Sequence, residues 1–179
     1  MGRPDDLVSG LVPVGLARLD EAAALMTRRD RKYVLPTDAA ERLVDRLSGP
    51  CRVLEIEGRR FFAYESVYFD TPSRVSYLGA ARRRPHRFKV RTRAYLDTGR
   101  SLLEVKTRDA RGRTHKERCE HDFGARDELV RSDVELLRAI PLIGDQARLL
   151  QPVLRTRYMR TTPARRRRCP DHHRCGPLC

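Results

Sequence analysis

Lys89, Arg91 and Arg93 alternate with Phe88, Val90, Thr92 and Ala94 along "FKVRTRAY", and after a short turn Glu104, Lys106 and Arg108 alternate with Leu103, Val105 and Thr107. Side chains two residues apart on a strand point to one face. Two adjacent strands with this spacing therefore present Lys89, Arg91, Arg93, Lys106 and Arg108 from a single side. Like charges directly across a ladder destabilise the pair. A polyanion threaded between them removes that penalty, because phosphate oxygens accept charge-assisted hydrogen bonds and arginine can engage two at once. A solvated outer strand shows the same alternation, so the spacing alone leaves both readings open. Glu104 needs its own account: it orients a neighbouring Arg or Lys, or it shares a divalent cation with phosphate oxygens.

The elements that must hold these side chains follow from the flanking text. "HRFKVRTRAYL" (86–96) and "SLLEVKTRD" (101–109) are joined by "DTGR", a short glycine-containing connection suited to an antiparallel hairpin. "FFAYESVYFDT" (61–71) reads as a strand bounded by Pro72, and "THKERCEHDF" (114–123) as a further strand. "TRRDRKYVLP" (27–36) is expected to be a strand stopped by Pro36, preceded by a loose leader over residues 1–16 and a short helix at 16–26. "DAAERLVDRLSG" (38–49) carries a helical stripe of Ala40, Leu43, Val44 and Leu47, with Asp38 and Glu41 spaced as a capping box. Residues 73–86 read as a short helix or loop, and 126–140 as a helix through Val130, Val134 and Leu137. Residues 147–162 pass from a helical turn into a last strand, and the pattern ceases beyond Pro163. The order implies an α+β chain with an antiparallel sheet.

The 179 residues suit one domain with a real core. The formal charge of +14 makes an anionic partner the first consideration. Half of that excess comes from the last 25 residues, where eight arginines face Asp171 alone. The body is mixed in sign, so its cations must be judged by placement. Five cysteines, three of them crowded at Cys169, Cys175 and Cys179, do not suggest a secreted disulfide framework. Cys51 and Cys119 read as small buried hydrophobes. The opening residues make a poor signal peptide and no stretch approaches a membrane span, so a cytoplasmic protein is expected. There is no GxxxxGK[ST] phosphate loop, which argues against a P-loop kinase.

"DRKYVLP" (30–36), "SVYFDTP" (66–72), "RFKVRTRAY" (87–95), "LEVKTRDARGRTHKER" (103–118) and "PVLRTRYMRTT" (152–162), in that order, resemble the VTC domain, the polyphosphate polymerase domain of the CYTH-like triphosphate tunnel superfamily. The resemblance covers roughly residues 27–162. It implies an antiparallel β tunnel lined by Lys and Arg, with acidic residues holding Mn²⁺ or Mg²⁺. It also implies transfer of the ATP γ-phosphoryl group to a growing inorganic polyphosphate chain. Carried onto this chain, the phosphate-binding residues are Lys32, Lys89, Arg91, Arg93, Lys106, Lys116, Arg157 and Arg160. Lys89, Arg91 and Lys106 serve the transfer, and Glu104 holds the metal. Positioning and charge neutralisation would carry such a reaction. Tyr33, Tyr68 and Tyr95 read as wall packing, and Asp70 as a turn residue. Triphosphate hydrolysis and polyphosphate binding without turnover are the alternatives.

Relatives of this kind continue past "RYMRTT" with strands that close the tunnel, whereas here the text runs into "PARRRRCPDHHRCGPLC" (163–179). The expectation is a truncated domain with an incomplete barrel, completed by a homo-oligomer or another subunit if at all. The tail reads as a frameshift product or truncation scar. Zinc binding by Cys169, His172, His173, Cys175 and Cys179 is the alternative, although the spacing fits no standard finger. The tail's arginines attract any phosphate backbone, but nothing supports specific reading of nucleic acid.

Overall fold

The structure, a computed structural model, describes residues 7–24, 31–47, 49 and 51–165. The chain divides into two compact units, one running to Phe61 and resuming at Thr161, the other Phe62–Arg160. The Cys/His-rich stretch from Cys169 lies outside the described residues.

In the first unit, β1 (Val12–Val14) and α1 (Leu16–Ala24) precede α2 (Thr37–Leu47), β2 (Cys51–Leu54) and a last strand of three residues, Pro163–Arg165. β2 is central, parallel to β1 and antiparallel to Pro163–Arg165. The parallel pair is possible because α1 and α2 supply the long crossover it requires. Residues 7–14 are no loose leader. Val8 and Leu11 are buried with Cys51 and Val53, and Val44 and Leu47 of α2 pack on that cluster. The Arg60 guanidinium binds the carbonyls of Val8, Ser9 and Leu11 at 3.1–3.3 Å while its Nε pairs with Glu55 at 2.8 Å. Those carbonyls would otherwise compete for water, and the arginine holds the turn in place.

Further expectations fail in this unit. Residues 31–36 of the proposed first strand form no strand, and Tyr33 is 73% exposed rather than packed in a wall. A segment becomes a strand only by pairing with a neighbour, and no described residue pairs with 31–36 in a ladder. Asp38 lies within the first turn of α2 and pairs with Arg42 at 2.9 Å instead of forming a capping box. The pattern also continues beyond Pro163, since Pro163–Arg165 pairs with β2.

The second unit is built on five antiparallel strands. They are β3 (Phe62–Asp70), β4 (Arg87–Tyr95), β5 (Arg100–Arg108), β6 (Thr114–His121) and β7 (Gln151–Arg160), in spatial order β6-β5-β4-β3-β7. Between β3 and β4 lies α3 (Val75–Ala81), and α4 (Arg131–Arg138) and a 3₁₀ turn at Gly144–Leu149 precede β7. The expected hairpin is present, with Gly99 at φ +63° in its turn, where other residues would be strained. One sheet face buries Val67, Phe69, Phe88, Val90, Leu103 and Val105 against Leu137, Ile143 and Ala147. Asp70 does more than turn the chain. It accepts the amides of Ser76 and Tyr77 at 2.9 and 2.8 Å, fixing the first turn of α3.

The architecture is therefore α+β with antiparallel pairing, as expected, and the described strands form open sheets rather than a closed barrel. No described helix is long and apolar enough to cross a membrane.

Candidate functional site

Register decides which side chains meet. β4 and β5 pair Arg87 with Arg108, Lys89 with Lys106, and Arg91 with Glu104. β5 and β6 pair Glu104 with Arg118 and Lys106 with Lys116. Directly opposed residues in an antiparallel sheet share a face, and it is the face turned away from the Val67–Leu137 core. Lys89, Arg91, Arg93, Lys106 and Lys116 are thus gathered on one surface, as the alternation required. β3 adds Tyr64, Ser66 and Tyr68 to it, and β7 adds Thr156, Tyr158 and Arg160.

Glu104, 3% exposed, is the hub of this face. Its Oε2 accepts Arg91 Nε at 2.7 Å, with Arg93 3.8 Å away. Its Oε1 accepts Lys116 Nζ at 2.8 Å and Arg118 Nε at 3.1 Å. Burial disfavours the charged carboxylate, yet hydrogen bonds from Lys116 and Arg91 and the charges of Arg91 and Arg93 outweigh it and hold the group down at about 2. Lys116 is lowered, because its burial outweighs the pull of Glu104. Arg91 also donates to Tyr68 Oη at 2.9 Å and lies over that ring, while Arg93 lies over Tyr64. Tyr64 stacks on Tyr158 at 5.4 Å and tilts against Tyr95 at 5.0 Å, whereas Tyr68 meets Arg91 and lines a cleft.

The next rung is different. Arg87, Lys89, Lys106 and Arg108 line a pocket of about 250 Å³ with Thr107 and Thr114. Among the described residues no carboxylate pairs with Lys89, Lys106 or Arg108, and Arg87 donates to the Arg84 carbonyl. A larger cleft of about 690 Å³ shares Lys89 and Ala80 with it and is walled by Tyr68, Tyr77, Leu154 and Thr156.

Arg157 does not join this face. It opposes Glu65 on the core side of the sheet, and Arg157, Arg126 and Arg155 surround the Glu65 carboxylate, which is 1% exposed. Burial works against that charge too, and Arg157 and Arg126 overcome it, lowering the group. Three residues along a strand reverse the face, so Arg157 and Arg160 point oppositely. Lys32 belongs to the first unit and is exposed in the stretch 31–36. Arg118, absent from the expected set, shares the parity of Lys116 on β6 and could have been found from it. Arg87 shares the parity of Lys89 in the same way.

Glu104 is the carboxylate that the resemblance assigns to Mn²⁺ or Mg²⁺. Such hard cations want several oxygen ligands, whereas both Glu104 oxygens already accept hydrogen bonds from cations. Among the described residues no group of three His, Cys, Asp or Glu side chains is placed to hold a metal ion. This donor set does not fit a divalent cation.

The chain is an α+β protein that gathers cations on one face of an antiparallel sheet. The chain belongs to the VTC domain family, whose family model matches residues 27–166. A search of the curated proteins finds no match.

Proposed function

We propose that this face binds linear inorganic phosphate chains, with the five-stranded sheet as one wall of a triphosphate tunnel. The observation that carries the reading is the pair of unbalanced rungs, Lys89 opposite Lys106 and Arg87 opposite Arg108. Cross-strand like pairs oppose folding by some tenths of a kcal/mol up to ~1 each, and a bound phosphate turns that repulsion into attraction. The reaction this site would serve is transfer of the ATP γ-phosphoryl group to a polyphosphate end. Lys89, Arg91 and Lys106 would neutralise the equatorial oxygens. The neighbouring 690 Å³ cleft has room and apolar wall for a nucleoside.

One observation favours a second reading, a polyphosphate-binding module without turnover: the carboxylate available for a metal is fully engaged by Arg91, Lys116 and Arg118. Incubating the purified protein with ATP and Mn²⁺ separates the outcomes. Chain growth supports the polymerase, release of inorganic phosphate alone supports a hydrolase, and retention of polyphosphate without either supports the binder. Failure to retain polyphosphate at low salt defeats the proposal altogether.

A further inference from the structure

We infer that Glu104 is a resident counter-anion that sets which phosphate chains the cationic face accepts, admitting short anions freely and longer chains only when they displace it. The inference rests on the polyphosphate reading above. The face has two halves with different charge balance. At the Arg87–Arg108 and Lys89–Lys106 rungs, four cations line the 250 Å³ pocket with no carboxylate partner among the described residues. One rung further, Arg91 and Arg118 flank Glu104, and its two oxygens satisfy both of them together with Lys116, which reaches across from its place beside Lys106.

The bonding at Glu104 is what a phosphate group would receive. One oxygen accepts both Arg91 Nε and Arg91 Nη2, at 2.7 and 2.5 Å, and the other accepts Lys116 and Arg118. An anion entering this half must take over donors that are already engaged, whereas one entering the pocket meets no competitor. Same-face residues along a strand are spaced roughly 6.5–7 Å apart, so Lys106 and Glu104 mark consecutive stations for an extended chain. Pyrophosphate is accommodated at the first station. Tripolyphosphate and longer chains reach the second and exchange places with the carboxylate. Arg91 and Lys116 stay oriented in the meantime, because Glu104 holds them on the face.

This account differs from that of a metal-holding glutamate in the direction of its effect. Removing a competitor tightens binding, and removing a metal ligand weakens it.

Titration calorimetry of the whole chain with pyrophosphate and with tripolyphosphate, at fixed ionic strength and in EDTA, tests the inference. In Glu104→Gln, tripolyphosphate is expected to bind about tenfold tighter or more, the scale of one competing charge-assisted hydrogen bond. Pyrophosphate is expected to change less than about twofold, since it makes no new contact at the second station. Glu104→Asp keeps the charge but withdraws it by one methylene. It should move tripolyphosphate in the same direction by a smaller factor, and it carries the test if the Gln variant does not fold. Weaker tripolyphosphate binding in both variants overturns the inference, as does an equal gain for both ligands. A loss seen only when Mn²⁺ replaces EDTA also overturns it and makes Glu104 a metal ligand. If the unaltered chain binds neither anion, the polyphosphate reading itself fails, a result distinct from these.

Discussion

Arg91 on β4 and Glu104 on β5 stand directly opposite each other, Nε to Oε2 2.7 Å apart, while the next same-face pair along the two strands is Lys89 facing Lys106. One rung is electrically closed and its neighbour is open. The two should respond differently to loss of a cation. Arg91→Ala leaves a buried carboxylate short of its bidentate partner and is expected to cost about 3 kcal/mol of stability. Lys106→Ala removes an exposed cation with no ion pair among the described residues and should leave stability within about 0.5 kcal/mol. Urea denaturation of the two variants checks the contrast, and phosphate affinity should fall in Lys106→Ala despite its intact fold.

Acid should weaken this fold through Glu104. Its carboxyl is depressed from 4.5 to about 2, so the stabilisation is complete above pH 4.5 and is lost as the pH falls towards 2. The size is of order 3 kcal/mol. Thermal melts across pH 2–6 should show a steep loss in this window, and Glu104→Gln should flatten it. An equally steep profile in the variant would assign the acid sensitivity elsewhere, with Glu65 next in line because its pKa is also lowered.

Arg157 and Arg160 lie three positions apart on β7 and on opposite faces. Arg157 is 66% exposed and serves Glu65, so Arg157→Ala is expected to lower the melting temperature with less than about twofold change in polyphosphate affinity. Arg160→Ala should show the converse, unchanged melting with weaker binding. Measuring both quantities for both variants tests the assignment of faces.

Polyphosphate binding should fall steeply with salt, since it is driven by counterion release and screened charge. Lys89→Ala, lacking one phosphate contact, should reduce the slope of log K against log salt by roughly 0.7, the value for one contact on a flexible single strand. Fluorescence titrations at several salt concentrations give the slope directly. An unchanged slope would remove Lys89 from the contact set.

The sheet face bearing Lys89, Arg91, Arg93 and Lys106 was legible in the sequence because a strand alternates with period two, and a short glycine-containing turn pairs β4 with β5. The same rule applied to β7 separates Arg157 from Arg160, and grouping them neglected it. "DRKYVLP" shows how far local pattern reaches: its residues have strand character, but residues 31–36 have no strand partner among the described residues. The placement of Val8 and Leu11 depended on Arg60, some fifty residues away, supplying three hydrogen bonds to their turn.

What the sequence determined by itself was the family, the antiparallel strands and the concentration of cations on one side of them, all consequences of residue order along single strands. Tertiary structure decided the charge balance among those cations. Lys116 and Arg118 arrive from β6 at the oxygens that Arg91 reaches from β4, and only their meeting makes Glu104 a saturated counter-charge while Lys89 and Lys106 are left facing each other. Electrostatic energy depends on distance and on exclusion of water, and neither is written in the order of residues along one strand.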